Sequence, residues 1–182
     1  MWSPTRQAGS TKIIGQAYTV RYGGLDEQGV EGHYIDNVPQ NSVIFISAPD
    51  HITNAVYGGL MSTRAKVRGA VGAVIDGRFR DLEEQRGLGF PIWAKEPGTA
   101  PPYPVVKVTG INVPLTISEG SDRVTVKPGD YIIADLNGVV CLPADLVDSV
   151  IPLMERQADA DEKVRGAVLG GMGFVEAVGL FR

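Results

Sequence analysis

The stretch from Gly69 to Gly89, GAVGAVIDGRFRDLEEQRGLG, constrains this chain more than any other. Its apolar run, Ala70 to Ile75, is rich in Val and Ile and suits a strand buried on both faces. Asp76-Gly77 has the chemistry of a tight turn. Arg80 and Asp81 come next, and from Asp81 the polar run DLEEQR reads as a short helix. A core strand that surfaces into a helix is the repeating unit of a parallel α/β sheet. Such sheets take ligands at the carboxyl ends of their strands. Arg80 and Asp81 stand side by side at that point.

The upstream sequence supplies the strand's partners. KIIGQAYTVRY, Lys12 to Tyr22, alternates and reads as a strand, with the Gly-rich GGLDEQGVEGH behind it as a loop. Val43 to Ser47 reads as a short buried strand ending at a Pro turn. HITNAVYGGLMSTRAKVRG has helical period, broken by Gly58-Gly59. Two glycines in a helix interior cost about 2 kcal/mol against alanine. The helix is therefore expected to start at this pair, run to Arg68 and stop at Gly69.

After Gly89 the texture is Val, Ile, Thr and Pro, with turns at EPG, TG, KPGD and LNG, as in a β-meander or barrel-like sheet. Ala144 to Leu169 is amphipathic and expected to be helical, with Pro152 as a kink or a junction of two helices. GGMGFVEAVGLFR reads as a small tail, whose Phe174 and Phe181 suit a subunit contact or packing onto the domain. The expectation is one α/β domain across residues 1–182, with a central sheet or barrel-like core and flanking helices.

Composition removes several classes. A net charge of −4 with no basic cluster argues against direct nucleic-acid binding. No run approaches the roughly 18–20 apolar residues of a membrane span. The first residues lack a signal peptide's apolar region, and a single cysteine, Cys141, excludes an internal disulfide. A cytoplasmic location is the expectation. His33 and His51 lie apart, without metal-ligand spacing. No G-x-S-x-G elbow, phosphate loop or Gly-rich nucleotide fingerprint occurs, and Lys66, Lys95 and Lys107 lack a Schiff-base context.

Two features remain. The pattern Gly72, Asp76, Gly77, Arg80, Asp81 could be no more than a strand, a turn and an Asp81 helix cap, with Arg80 on the surface. Gly58, Gly59, Leu60 and Met61 could be a plain helix break. Yet a helix opening on two glycines leaves its first N–H groups approachable, with the positive dipole end outward, as suits a carboxylate. With parallel connections, this tip and the Arg80-Asp81 pair would share one sheet edge. Arginine offers a planar fork to a carboxylate, and aspartate a hard oxygen to Mg²⁺ or Mn²⁺. Together they suit a 2-oxo acid.

At these residues the chain resembles the RraA-like family, which includes the class II 4-hydroxy-4-methyl-2-oxoglutarate aldolases. GAVGAVIDGRFRD is similar to the family's central motif, and GINVPLTISEGSDRVTVKPGDYIIADLNGVVCLP to its later sheet. The resemblance implies a swivelling β/β/α fold, a homotrimer or hexamer, and active sites near subunit interfaces. It implies that Arg80 binds the pyruvate-like moiety, that Asp81 ligates a divalent metal, and that amides of Gly58 to Met61 contact substrate. The implied activity is metal-dependent retro-aldol cleavage to pyruvate through a metal-stabilised enolate, with oxaloacetate decarboxylation at the same site.

Two departures stand out. The aldolases have an aspartate where this chain has Gly59, separated from the Arg-Asp pair by twenty residues. The family's helix before the first strand is expected to be short or missing. These departures leave a second reading: a non-catalytic regulator that binds and inhibits a ribonuclease, as some relatives do.

Overall fold

The structure is a computed structural model, and it describes residues 10–119 and 122–182. The expectation about an N-terminal helix falls on residues 1–9, outside that range. The chain divides into two compact units, one ending at Pro143 and one from Ala144 to Arg182.

In the first unit, strands β1 (Ile13–Gly24), β2 (Ser42–Ser47) and β3 (Ala55–Tyr57) precede helix α1 (Gly59–Arg68). Strand β4 (Gly72–Phe79) leads to helix α2 (Leu82–Leu88), followed by β5 (Ile92–Pro97) and β6 (Val106–Ile111). A hairpin of β7 (Leu115–Glu119) and β8 (Asp122–Val126) then gives way to β9 (Tyr131–Asp135) and β10 (Gly138–Leu142). The main sheet runs β10-β9-β1-β2-β4-β3, with β5 also on β4 and β6 also on β1. Pairings among β1, β2, β3, β4 and β5 are parallel, while β6, β9 and β10 join antiparallel. This is the mixed α/β class expected, a central sheet with flanking helices.

Alternation explains the core. Tyr18, Val20, Ile44, Ile46, Ala73, Ile75, Ile92 and Ala94 belong to one apolar cluster. The residues between them, Ala17, Val43, Phe45, Val74 and Trp93, belong to another. Successive side chains on β2, β4 and β5 thus enter opposite faces, both dry, which is why the sequence reads as unbroken apolar runs.

Three expectations need correction. Asp76-Gly77 is not a turn, because β4 continues through it to Phe79. The backbone there has partners on both sides: β2 pairs as far as Asp76, β3 takes over at Arg78, and β5 shifts register between Ile75 and Arg78. Gly77 suits that irregularity, since a Cβ there would sit 3.2 Å from the Ala48 Cβ. Strand β3, inside a segment of helical period, was not expected at all. Its three residues are all buried and bond to β4 beyond the reach of β2, so tertiary pairing outweighs local period.

The third correction concerns the second unit. The segment read as a small tail beyond Leu169 holds a helix, α4 (Phe174–Phe181), which follows α3 (Val147–Leu169). Helix α3 is a single element through Pro152, not two. The proline lies near the start of α3, where its missing N–H costs one bond close to an end already short of partners. Met172 N–H bonds Ala167 O at 3.0 Å, and Gly171 takes a left-handed φ of 96°, so the chain reverses between the helices. Phe174 and Val178 face Val164 and Val168 across a hollow of about 370 Å³.

Lys95 on β5 joins two carboxylates, lying 2.7 Å from Asp76 and 2.8 Å from Asp50. Asp76 is buried. Burial alone would lower the lysine, but its hydrogen bonds to Asp50 and Asp76 prevail and hold its pKa above the usual value. The amine stays protonated, which fits a structural role. Replacing Lys95 by methionine takes the ammonium from the buried Asp76 carboxylate. The expected loss is about 3 kcal/mol, the low end for a buried pair because Lys95 is part-exposed. Chemical denaturation would read it as a lower midpoint with an unchanged slope.

Candidate functional site

Helix α1 begins at Gly59, with Gly58 as its N-cap in extended conformation and without a side-chain cap. Both glycines are buried. Met61 and Ser62 N–H groups bond back to Gly58 O at 3.1 and 3.2 Å. The first amide is not bare: Gly59 N–H donates to Asp81 Oδ2 at 2.8 Å. Asp81 lies just before α2 but does not cap it, because its side chain reaches across to the start of α1. The two segments singled out from sequence therefore touch.

Close approach accounts for the Gly-Gly pair. A Cβ on Gly58 would lie 2.7 Å from Asp81 Oδ2 and 3.2 Å from Arg80 Nε. A Cβ on Gly59 would lie 2.2 Å from the Glu84 carboxyl. Aspartate at position 59 would compete with Glu84 for the same space. The carboxylate that the resemblance expects beside Asp81 thus enters from α2 instead. Glu84 was missed in the sequence, although it stands three residues beyond Asp81, the spacing that puts two side chains on one helix face.

Arg80 and Asp81 are held by backbone as well as by side chains. Arg80 N–H bonds Tyr57 O at 2.9 Å, continuing the β3–β4 register past the strand's end. Asp81 adopts a left-handed backbone, φ 67° and ψ 48°. For a residue other than glycine this costs roughly 1–2 kcal/mol, and such strain concentrates at functional sites. The turn swings the two side chains together, with Arg80 Nε 3.6 Å from Asp81 Oδ2, and each remains about a third exposed. Tyr22, beneath, donates its hydroxyl to Val56 O at 3.1 Å. Burial pushes its pKa up to about 12, so it remains a donor at working pH.

Next to the pair lies an open hollow of about 450 Å³ lined by Asp81, Leu82, Glu83 and Glu84. Leu60 is exposed and Met61 half-buried at the helix tip. An anionic substrate would meet three carboxylates here and be repelled unless a cation intervened. Among the described residues no three His, Cys, Asp or Glu side chains are gathered for a metal. A cation would rest on the hard oxygens of Asp81 and Glu84 and on water, the sparse protein coordination that Mg²⁺ accepts. The donor chemistry and the open hollow beside Asp81 and Glu84 fit such an ion.

The fold is of the mixed α/β class, and its glycine helix tip, arginine and carboxylates meet where β4 ends, the end at which open α/β sheets take ligands. The family pattern described as RraA-like, Aldolase/RraA, matches residues 2–141, and the chain belongs to that family. It is 32% identical over 164 residues to protein DlpA of Legionella pneumophila, covering 88% of this chain but only 26% of DlpA. It is 33% identical to a putative 4-hydroxy-4-methyl-2-oxoglutarate aldolase of Halalkalibacterium halodurans, covering 85% of this chain and 71% of that protein. Among solved structures, a protein from Pseudomonas syringae superposes with a TM-score of 0.80 at 25% identity, covering 97% of this chain and 85% of that one. Among the described residues no helix is long and apolar enough to cross a membrane.

Proposed function

We propose that this chain is a divalent-metal-dependent lyase that cleaves a 2-oxo acid of the 4-hydroxy-4-methyl-2-oxoglutarate class to pyruvate and also decarboxylates oxaloacetate. The observation that carries the reading is the contact between Gly59 N–H and Asp81 Oδ2, which gathers helix tip, guanidinium and carboxylate at one sheet edge. The aldolase name of the Halalkalibacterium relative supports it.

Arg80 takes the substrate's C1 carboxylate in its planar fork, a geometry that lysine cannot copy. The amides at the start of α1 add donors and the positive dipole end. Asp81 and Glu84 would hold Mg²⁺ or Mn²⁺, which when bound would supply Lewis acidity to the keto oxygen. In oxaloacetate the C3–C4 bond breaks, CO₂ leaves, and the electron pair stays with the pyruvyl fragment until C3 takes up a proton. The guanidinium and helix tip stabilise negative charge as it moves toward the keto oxygen. The site is open in one protomer, and a homotrimer or hexamer that covers it would exclude water.

The test is a steady-state assay of pyruvate release from oxaloacetate and from 4-hydroxy-4-methyl-2-oxoglutarate, with Mg²⁺ or Mn²⁺ and then with EDTA. Turnover that needs the metal is expected. Silence with every metal, together with a ribonuclease that co-purifies and is inhibited, would transfer the assignment to the regulatory reading.

A further inference from the structure

The left-handed Asp81 turn needs a restraint, and the residue that touches it from inside is Gln85. Gln85 is fully buried, at 0% exposure, in a helix of seven residues whose neighbouring positions are polar and exposed. Its main-chain N–H bonds Asp81 O at 2.9 Å, as the first helical turn requires. Its side-chain Nε2 donates to Arg80 O at 3.4 Å. Its Oε1 has no partner among the described residues. A buried amide with an unpaired oxygen is a costly choice for filling space, which methionine or leucine would do without that cost. What glutamine adds is the donor to Arg80. Arg80 is thereby held at both main-chain groups, its N–H on Tyr57 O and its carbonyl on Gln85.

We infer that Gln85 is a positioning residue, whose buried amide fixes the Arg80–Asp81 turn so that guanidinium and carboxylate meet one ligand. The ligand part rests on the proposed 2-oxo acid site. The restraint itself concerns only the turn. Without the donor, the Arg80 carbonyl is released and Asp81 can relax toward a commoner backbone conformation, which parts its side chain from Gly59.

Gln85→Met keeps length and volume and removes the donor. Three readouts are expected to separate. The melting temperature holds or rises, because an unpaired buried oxygen is gone. Hydrogen exchange of the Arg80 and Gln85 amides, which flank the turn and bond Tyr57 O and Asp81 O, quickens about tenfold in the metal-free chain. Oxalate, a planar dianion used as the probe with Mg²⁺, binds about tenfold more weakly, and KM for oxaloacetate rises more than kcat falls. Should the methionine variant not fold, Gln85→Asn keeps an amide but is one methylene short, and it must show the same faster exchange. Unchanged exchange at both amides overturns the restraint. Wild-type affinity for oxalate in a variant with loosened amides overturns the positioning role. A wild-type chain that binds no oxalate at any metal concentration overturns the functional reading and the ligand role with it, while the exchange rates still decide the restraint.

Discussion

Arg80→Ala is expected to lower kcat/KM for oxaloacetate about 10³-fold while leaving the fold intact. A factor of 10³ corresponds to about 4 kcal/mol, within the range for removing one partner of a desolvated charge pair. The guanidinium stands beside the helix tip, its Nε 3.2 Å from where a Gly58 Cβ would lie. Stability should change by less than about 1 kcal/mol, because its ion pair with Asp81 is part-exposed and such pairs contribute little. Arg80→Lys restores charge but not the bidentate geometry, and so should recover less than a tenth of the loss. Kinetics alongside a thermal melt separates the effects. An alanine variant as active as wild type would remove arginine from the mechanism.

Much of this site was legible because its signals are local. Gly58-Gly59 predicted a helix start by backbone cost alone, and α1 does run from Gly59 to Arg68, closed by Gly69 in a left-handed conformation. The apolar runs gave β2 and β4 because both faces of the sheet are dry. What stayed hidden depends on partners distant in sequence. Asp76-Gly77 has turn chemistry, and only the relay from β2 to β3 along one edge of β4 shows why the strand goes on. Strand β3 is three residues long, too short for any periodicity to mark. Asp81 looked like a helix cap from its place at the head of DLEEQR, but its carboxylate bonds Gly59, 22 positions away. Glu84 and Gln85 lay within the polar run and carried no local mark. Their roles come from which side of α2 meets α1 and the end of β4.

Asp81→Asn isolates charge from shape, and is expected to be the more informative of the two variants. Asparagine tolerates the left-handed backbone that Asp81 adopts, at φ 67°. Its side-chain oxygen can still accept the Gly59 N–H, a bond of 2.8 Å in the structure. The turn and the helix start should therefore survive, and a melt should differ from wild type by no more than a few degrees. The anionic oxygen is lost, and with it one of the two carboxylates that the proposed function assigns to Mg²⁺ or Mn²⁺. A carboxylate that only orients a metal's ligands is typically worth about 10–100-fold in metal affinity, and a direct ligand should exceed that, so Mn²⁺ binding is expected to weaken by at least about 100-fold. Asp81→Ala adds two costs to the lost charge: the strain of a left-handed alanine and an unpaired Gly59 amide. It should also lose about 1–2 kcal/mol of stability. If the asparagine variant binds Mn²⁺ as wild type does, the cation is held elsewhere and Glu84 becomes the residue to remove next. If both variants unfold alike, Asp81 serves the fold before it serves any metal. Only the separation of the two, stability kept in asparagine and metal lost in both, assigns the carboxylate its double duty at the helix tip.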